Sequence, residues 1–306
     1  MNISVIVPYY NESLTLKKTL ESLSNQTQVP YEIIMVDSGS TDESTLIIQD
    51  FINDNKNVNI NIIYSGKMTP SSSINLGINK SSCSLIAYID CGLDIPRNWL
   101  ESHLKLLIEK DIDIISPRVF TDGKELIDKG FISHTMGFMS YTPCFTGSLL
   151  KKTIIEDLNY LLSDARASYD VDFINKIESI DAKRLINTDI TLRYFGTNYS
   201  NSVLGGILKI SKYSENAWRV KNHLKPYIYI FSLLLAIVSF NYGYGSIIIL
   251  LYFLIRGYML PLYRSSSNIF KELKLLIILP FVGAIIDISR IIGYLFIHKI
   301  FRVRWE

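Results

Sequence analysis

Thirty consecutive residues, 226–255, carry no charged side chain. A helix needs about 20 apolar residues to cross the hydrocarbon layer of a bilayer. Thirty is therefore too long for one ordinary span and too short for two complete ones. The run continues past Arg256 to Tyr263, and Asn241-Tyr-Gly-Tyr-Gly245 interrupts it near the middle. This pattern predicts a tight helical hairpin, out over 226–242 and back over 245–263. Both flanks are basic, with Lys221 and Lys225 before and Arg264, Lys271 and Lys274 after, while the connector has no Lys or Arg. The positive-inside rule then places both flanks and the N-terminal body in the cytoplasm. The competing explanation is a buried core hairpin of a soluble domain.

A third apolar stretch, Leu275–Phe301, contains Pro280 and the pair Asp287/Arg290, spaced i, i+3 on one helical face. Charges inside a membrane are costly. The stretch is either a third span with the pair turned to protein or a broken helix lying in the interface. Lys299, Arg302 and Arg304 favour the interfacial arrangement.

Charge follows the same division. The chain of 306 residues has a formal charge of +2, which gives no reason to expect nucleic acid as a partner. Residues 226–306 hold eight Lys or Arg against three Asp or Glu, a net of +5, and leave −3 on residues 1–225. A slightly acidic body on a basic apolar tail points to an enzyme at the cytoplasmic membrane. The expected organisation is a catalytic domain over 1–210, a juxtamembrane amphipathic linker over 211–225 with Trp218 and Arg219 at the headgroups, the hairpin over 226–263, and a basic loop with a third membrane or interfacial helix over 264–306. Cys83, Cys91 and Cys144 have neither CxxC spacing nor a dense framework, so reduced thiols are expected. Met1–Pro8 has no basic n-region and reads as a strand, not a signal peptide.

In the body, Ile3–Pro8, Tyr31–Val36, Val58–Tyr64 and Ser84–Ile89 are short and rich in Ile and Val, as buried strands are. Leu14, Leu16, Leu20 and Leu23 mark one helical face between the first two. Leu46, Ile47, Phe51 and Ile52 mark another, and Ser71–Asn79 a third. This β-α-β-α-β-α-β order predicts a largely parallel sheet flanked by helices. Such sheets bind ligands beyond the C-terminal ends of their strands. Strand one ends in Pro8-Tyr-Tyr-Asn-Glu12, where Asn11 and Ser13 suit a helix cap. Strand two ends in Asp37-Ser-Gly-Ser-Thr-Asp42, where Ser40, Thr41 or Asp42 suits the next cap. Asp37 is left to meet the N–H donors of a base or the hydroxyls of a sugar. Strand four ends in Asp90-Cys-Gly-Leu-Asp94, and Asp90 there suits a divalent cation against phosphate oxygens or ribose hydroxyls. Acidic and amide tips along one sheet edge point together to a nucleotide site.

Val5-Ile-Val-Pro-Tyr-Tyr-Asn-Glu12, Val36-Asp-Ser-Gly-Ser-Thr-Asp42, Asn75-Leu-Gly77 and Ala87-Tyr-Ile-Asp90 resemble, in order and spacing, the successive signatures of family-2 glycosyltransferases. The likeness covers about residues 1–200. It implies an α/β fold of the GT-A type, a nucleotide-diphosphate sugar donor, UDP-linked or similar, and inversion at the anomeric carbon. By this resemblance Pro8, Tyr10, Asn11 and Glu12 line the nucleotide pocket, and Asp37 with Ser38 corresponds to the base-binding acid and its neighbour. Asp90 matches the first acid of the family's metal motif. Gly92 stands at the second acid, with Asp94 two residues later. A Mg²⁺ or Mn²⁺ ion would thus keep Asp90, donor phosphates and water, with Asp94 as a helper. The family's late His has no counterpart near Arg193-Tyr-Phe195, and His103 and His134 read as surface or core residues. Phe145-Thr-Gly-Ser148 resembles a segment near the donor sugar and makes Gly147 and Ser148 candidate sugar contacts; a turn entering a helix explains it equally.

Tyr169-Asp-Val-Asp-Phe173 resembles the Glu-Asp-x-Asp segment that carries the catalytic base, with Tyr169 in place of the Glu. Inverting transfer needs a carboxylate to take the acceptor's proton. Asp170 aligns with it and Asp172 is the second candidate; the plainer explanation is two first-turn acids complementing a helix dipole. Tyr213-Ser-Glu-Asn-Ala-Trp-Arg219 is not the QxxRW motif of processive synthases. The expected function is transfer of a sugar to a lipid-linked glycan acceptor in bacterial cell-surface polysaccharide assembly. The alternatives are transfer to polyprenyl phosphate, a non-catalytic scaffold subunit, and a sugar nucleotidyltransferase. The last needs a Gly-rich loop after strand one, which Pro8–Glu12 lacks.

Overall fold

The Ile- and Val-rich runs of the body form strands, and the Leu-patterned stretches between them form helices. In the computed structural model, residues 1–306 are described except 124, 136, 141–144, 196–202, 221–223, 266–272 and 297–306. The expectations for Cys144, Lys221, Lys271, Lys299, Arg302 and Arg304 lie outside the described residues.

The chain divides into two units, one of Met1–Phe120 with Tyr141–Tyr194 and one of Thr121–Ser140 with Phe195–Glu306. In chain order the elements begin β1 (Ile3–Tyr9), α1 (Leu16–Ser24), β2 (Glu32–Asp37), α2 (Ser44–Asp54), β3 (Ile60–Tyr64), α3 (Pro70–Lys80), β4 (Leu85–Tyr88), β5 (Leu93–Asp94), α4 (Trp99–Glu109) and β6 (Ile114–Asp122). They continue α5 (Leu126–His134), β7 (Met139–Ser140), β8 (Leu149–Lys151), α6 (Lys152–Asp157), α7 (Tyr169–Ile177), β9 (Arg184–Phe195) and α8 (Val203–Glu215). After them come α9 (Lys225–Asn241), α10 (Gly245–Tyr252), a π-helical segment (Phe253–Met259), α11 (Leu260–Ser265) and α12 (Leu273–Tyr294).

The sheet of the first unit has the order β3-β2-β1-β4-β8-β6-β9-β5. The pairs among β1 to β4 are parallel, as the alternation of strands and helices predicts. Beyond β4 the sheet turns mixed: β8 is antiparallel to β4 and β6, and β5 to β9. Antiparallel neighbours do not require a right-handed crossover, so the alternation of strands and helices does not fix their order, and β8 sits between β4 and β6 although it follows both in the chain. Both faces of the parallel part are covered. Val5, Val7, Ile33 and Met35 pack with Leu16, Leu20 and Ile48 of α1 and α2, while Ile6 and Ile86 pack with Ile74 and Ile78 of α3. Burial on both faces is why these strands read as unbroken apolar runs. Gly77 lets α3 lie close to the sheet, since a Cβ there would stand 2.6 Å from Ile6 Cγ2. Asn75 exchanges two 3.0 Å hydrogen bonds with the backbone of Leu161. The Asn75-Leu-Gly77 motif thus works as a packing device.

In register, Tyr9 pairs with Asp37 and Ile6 with Tyr88, so the tips of β1, β2 and β4 end together along one edge.

The second unit is helical. α9 and α10 are joined by 242–244, where Gly243 takes φ +81°, the hairpin that the break at 241–245 predicts. The return helix runs on through the π-helical segment and α11 as Gly245–Ser265, 21 residues; α12 has 22, and both are long and apolar enough to cross a membrane. Phe231, Leu234, Ile237, Phe240 and Leu250 are each more than half exposed, which a hairpin buried in a soluble core would not leave uncovered. Pro280 does not break α12. Residues 121–140, expected in the first domain, fall in the second unit because Phe131 of α5 packs on Ile210, Val282 and Ile286.

Candidate functional site

Two strand–helix loops interlock at the tips of β1 and β2. Asn11, in the left-handed region at φ +55°, takes its amide to Ser40 Oγ at 3.1 Å, and its Oδ1 accepts from Thr41 N at 2.8 Å. Glu12 N donates to Ser44 Oγ at 2.8 Å. Asp42 joins both loops, accepting from Ser13 N at 3.0 Å and from Ser44 N at 3.0 Å. Burial works against its charge, but the hydrogen bonds from Ser44 and Ser13 outweigh burial and hold its carboxyl at about 2.

A depressed value means stabilisation that is complete above the ordinary 3.8 and is lost as the pH falls through about 2. Asp42→Asn should therefore destabilise the fold by about 1 kcal/mol at neutral pH, with the difference from wild type vanishing near pH 2. Denaturant unfolding across that pH range measures it; a constant difference would remove the ionised carboxylate from the explanation.

Asp37 is buried, and its Oδ1 accepts from Gly39 N at 3.1 Å and Ser40 N at 2.8 Å. Oδ2 meets only the Thr45 hydroxyl at 3.4 Å among its hydrogen bonds and keeps capacity for a further donor. Ser38 Oγ is 2.7 Å from Ser73 Oγ, buried and committed to α3. Pro8 is half-buried beneath the edge, and Tyr10 stands out from it, 43% exposed.

Asp90 is gripped from below. The Tyr88 hydroxyl donates to its Oδ1, and its amide donates to Thr146 Oγ1 at 3.3 Å. Tyr169 hydrogen-bonds Tyr88 in turn. Burial pushes the Asp90 carboxyl up, the Tyr88 and Thr146 hydrogen bonds pull it back, and the charge of Asp170 pushes it up again. Glu12 is raised likewise, by burial first, against a 2.5 Å hydrogen bond from Thr15 and with repulsion from Asp90 and Asp42. Carboxyls raised in this way favour the fold only in acid and cost stability as they ionise. Crowded negative charge of this kind fits a divalent cation, which one carboxylate plus a ligand's phosphates can hold. Among the described residues no group of three or more His, Cys, Asp or Glu gathers as a complete ligand set.

Gly92 adopts φ +80°, where a Cβ would stand 3.3 Å from Thr15 Cγ2. The turn after Asp90 is left-handed, and an aspartate there would be strained. Asp94 lies on β5 and pairs with Lys18 at 3.1 Å, both about half exposed.

The two acids of α7 part company. Asp170 is exposed in the first turn, close enough to Asp90 for their charges to interact. Asp172 is buried and paired with Lys176 at 2.8 Å. Gly147, buried at φ +77°, donates to Tyr88 O at 2.7 Å and accepts from Trp99 Nε1 at 2.8 Å. A Cβ on it would meet Leu192 at 2.3 Å and Pro117 at 2.6 Å. Its peptide is occupied by the fold, and Ser148 is fully buried against Ser116 at 2.8 Å. The side chain of this turn that reaches the site is Thr146. Tyr88 and Thr146 fall within the motifs at 87–90 and 145–148, but nothing local in the sequence signals that both hold Asp90. His103 is core, brought down to about 3 by burial; Cys83 and Cys91 are buried free thiols.

The model of glycosyl transferase family 2 matches residues 4–159. Glycosyltransferase AglE of Haloferax volcanii is 29% identical over 119 residues, 38% of this chain and 39% of that protein. Glycosyltransferase GlyG of Streptococcus pneumoniae is 32% identical over 113 residues, 37% of each. The chain thus aligns with well under half the length of these relatives. Among solved structures, a mannosyltransferase of Pyrobaculum calidifontis in complex with GDP-Man and Mn²⁺ superposes with a TM-score of 0.60 at 15% identity, covering 95% of this chain and 86% of that one. S. aureus TarS 1–349 with UDP-GlcNAc gives 0.52 at 14%, covering 100% and 94%.

Proposed function

Because this chain belongs to glycosyl transferase family 2, with the GT-A fold of its structural neighbours, we propose that it is a membrane-anchored inverting glycosyltransferase that moves a sugar from a nucleotide-diphosphate donor to a lipid-linked glycan. That it is a glycosyltransferase follows from the family; the donor class, inversion, anchoring and acceptor are this reading.

The observation that carries it is the contrast on α7. Asp170 is exposed beside Asp90, whereas Asp172 is held by Lys176. Asp170 takes the proton from the acceptor hydroxyl as that oxygen attacks the anomeric carbon. The bond to the diphosphate breaks on the opposite face, which inverts the centre. Asp37, through Oδ2, receives N–H donors of the base; Pro8, Tyr10, Asn11 and Glu12 wall the nucleotide. Ser38 and Gly147 support the pocket through the contacts they make behind it. Asp90 would hold Mg²⁺ or Mn²⁺, which when bound neutralises charge on the departing diphosphate; Asp94, on Lys18, serves the loop. The apolar helices Gly245–Ser265 and Leu273–Tyr294, with the basic flanks of the hairpin, support a catalytic domain on the cytoplasmic face of the membrane. An acceptor confined to the same surface is then the economical partner.

The test is hydrolysis of a panel of nucleotide sugars by the purified chain, with and without Mg²⁺ or Mn²⁺. One donor should release nucleotide faster than the rest, and faster with the cation. If a lipid extract added as acceptor stimulates no donor, the reading is overturned.

A further inference from the structure

Asp287 of α12 is buried within the second unit, and Arg256 of the π-helical segment clasps it, Nε to Oδ2 at 2.7 Å and Nη2 to Oδ1 at 2.9 Å. The hydroxyls of Tyr229 and Tyr252 donate to the same carboxylate at 2.7 Å and 3.0 Å. Its four acceptor sites are thereby filled. Arg290 reaches it only at 3.5 Å and donates instead to Tyr229 Oη at 2.7 Å. Arg264 donates to the carbonyl of His134 at 2.6 Å and lies close enough to Arg256 and Arg290 to be repelled by both. His134 adds no charge: burial first, then Arg256, brings it down to about 4. It accepts from Arg256 Nη1 at 2.6 Å on Nδ1, and its Nε2 donates to Leu279 O at 2.6 Å. Among the described residues, three guanidinium groups thus share one carboxylate inside an apolar helical unit. Such an excess is costly unless an anion answers it.

A groove adjoins the cluster. α9 and α10 bound a cavity of about 690 Å³ walled by Leu235, Phe240, Ile249 and Leu251 and ending at Tyr252 and Arg256. It occupies the part of both helices nearest the hairpin turn. Of the three arginines Arg256 lines the groove, on the side away from the turn, and Arg264 follows eight residues later in the same helix, toward the basic flank. An apolar channel with a cationic end suits one kind of molecule, a long apolar chain bearing a phosphate. We propose that Arg264 and Arg290, with Arg256 held in place by Asp287, bind the phosphate of a lipid whose chain lies in the α9–α10 groove. This names the recognition element for the acceptor and so rests on the reading of that acceptor as lipid-linked.

The experiment is a binding measurement on the full chain in detergent, by native mass spectrometry, with a long-chain polyprenyl phosphate, the matching polyprenol and inorganic phosphate as probes. The polyprenyl phosphate should bind at least about tenfold more tightly than either of the others, since charge-assisted bonds and the groove act together. Arg264→Gln with Arg290→Gln should lose about tenfold or more, while Arg264→Lys with Arg290→Lys keeps most of the affinity. Equal binding of the polyprenol overturns the phosphate site, and equal binding of inorganic phosphate overturns the lipid. An unchanged affinity in the folded Gln variant overturns both arginines; should that variant not fold, the wild-type comparison of phosphate with alcohol still decides. Donor hydrolysis is read in parallel. A chain that binds the lipid phosphate but hydrolyses no donor, with or without acceptor, leaves this site standing and removes the proposed function; a chain that hydrolyses donor but ignores the lipid does the reverse.

Discussion

Asp170→Asn should lower turnover by about 100-fold or more, because asparagine keeps the shape of the side chain and cannot take a proton. The KM for the donor should change little, since the proposed donor pocket lies at the tips of β1, β2 and β4. Asp172→Asn should do something different. It breaks the 2.8 Å pair with Lys176, whose Nζ also bonds Tyr160 O at 3.0 Å, and leaves a half-buried lysine without its counter-ion. The expected result is a lower unfolding temperature with turnover per folded molecule within about tenfold of wild type. Steady-state kinetics with thermal unfolding on both variants separates the roles. Near wild-type activity in Asp170→Asn would sink its assignment as base, and a reversed pattern would transfer that role to Asp172.

The second large effect is on stability. Asp287→Ala should destabilise the helical unit by about 3–5 kcal/mol, the range for removing one partner of a buried ion pair. It strands Arg256 and leaves the hydroxyls of Tyr229 and Tyr252 without their acceptor. Removing both ions, with Arg256→Met and Asp287→Met, should lose less than Asp287→Ala alone, because no uncompensated charge remains at that pair. Thermal unfolding in detergent measures both. If the single variant unfolds like wild type, the cluster is not what holds α12 to the return helix.

Much of the first unit is legible in the chain. A strand buried on both faces is mostly apolar, so β1, β2 and β4 announce themselves. The turn chemistry at Pro8–Glu12 and Asp37–Asp42 marks where they end. Legibility falls after β4, where β8 joins β4 and β6 antiparallel and the order of strands in the chain no longer gives their order in the sheet. At the site, the candidate acids were named from motif order, but their environments were not. Asp42 reads as a cap for one helix and turns out to tie two loops. Asp94 reads as a helper to Asp90, and the structure adds a partner for it, Lys18, that its spacing does not show. Gly92 reads as a lost ligand, and its left-handed φ gives a reason for glycine.

The hairpin shows the same boundary. A charge-free run and a Gly-containing break are local properties, and they determine two apolar helices with a turn at 242–244 without reference to the rest of the chain. The Asp287/Arg290 spacing is also local, and it is real at 3.5 Å. The stronger partner, Arg256, lies 31 residues away, and no periodicity connects the two. The sequence by itself determined the motifs, the parallel half of the sheet and the apolar hairpin, because these follow from side-chain pattern along one element. Only the tertiary structure decided which of two acids on α7 is free, which arginine owns Asp287, and where positive charge is left over. Those depend on which atoms of distant segments come within about 3 Å, a distance at which a hydrogen bond is made or lost.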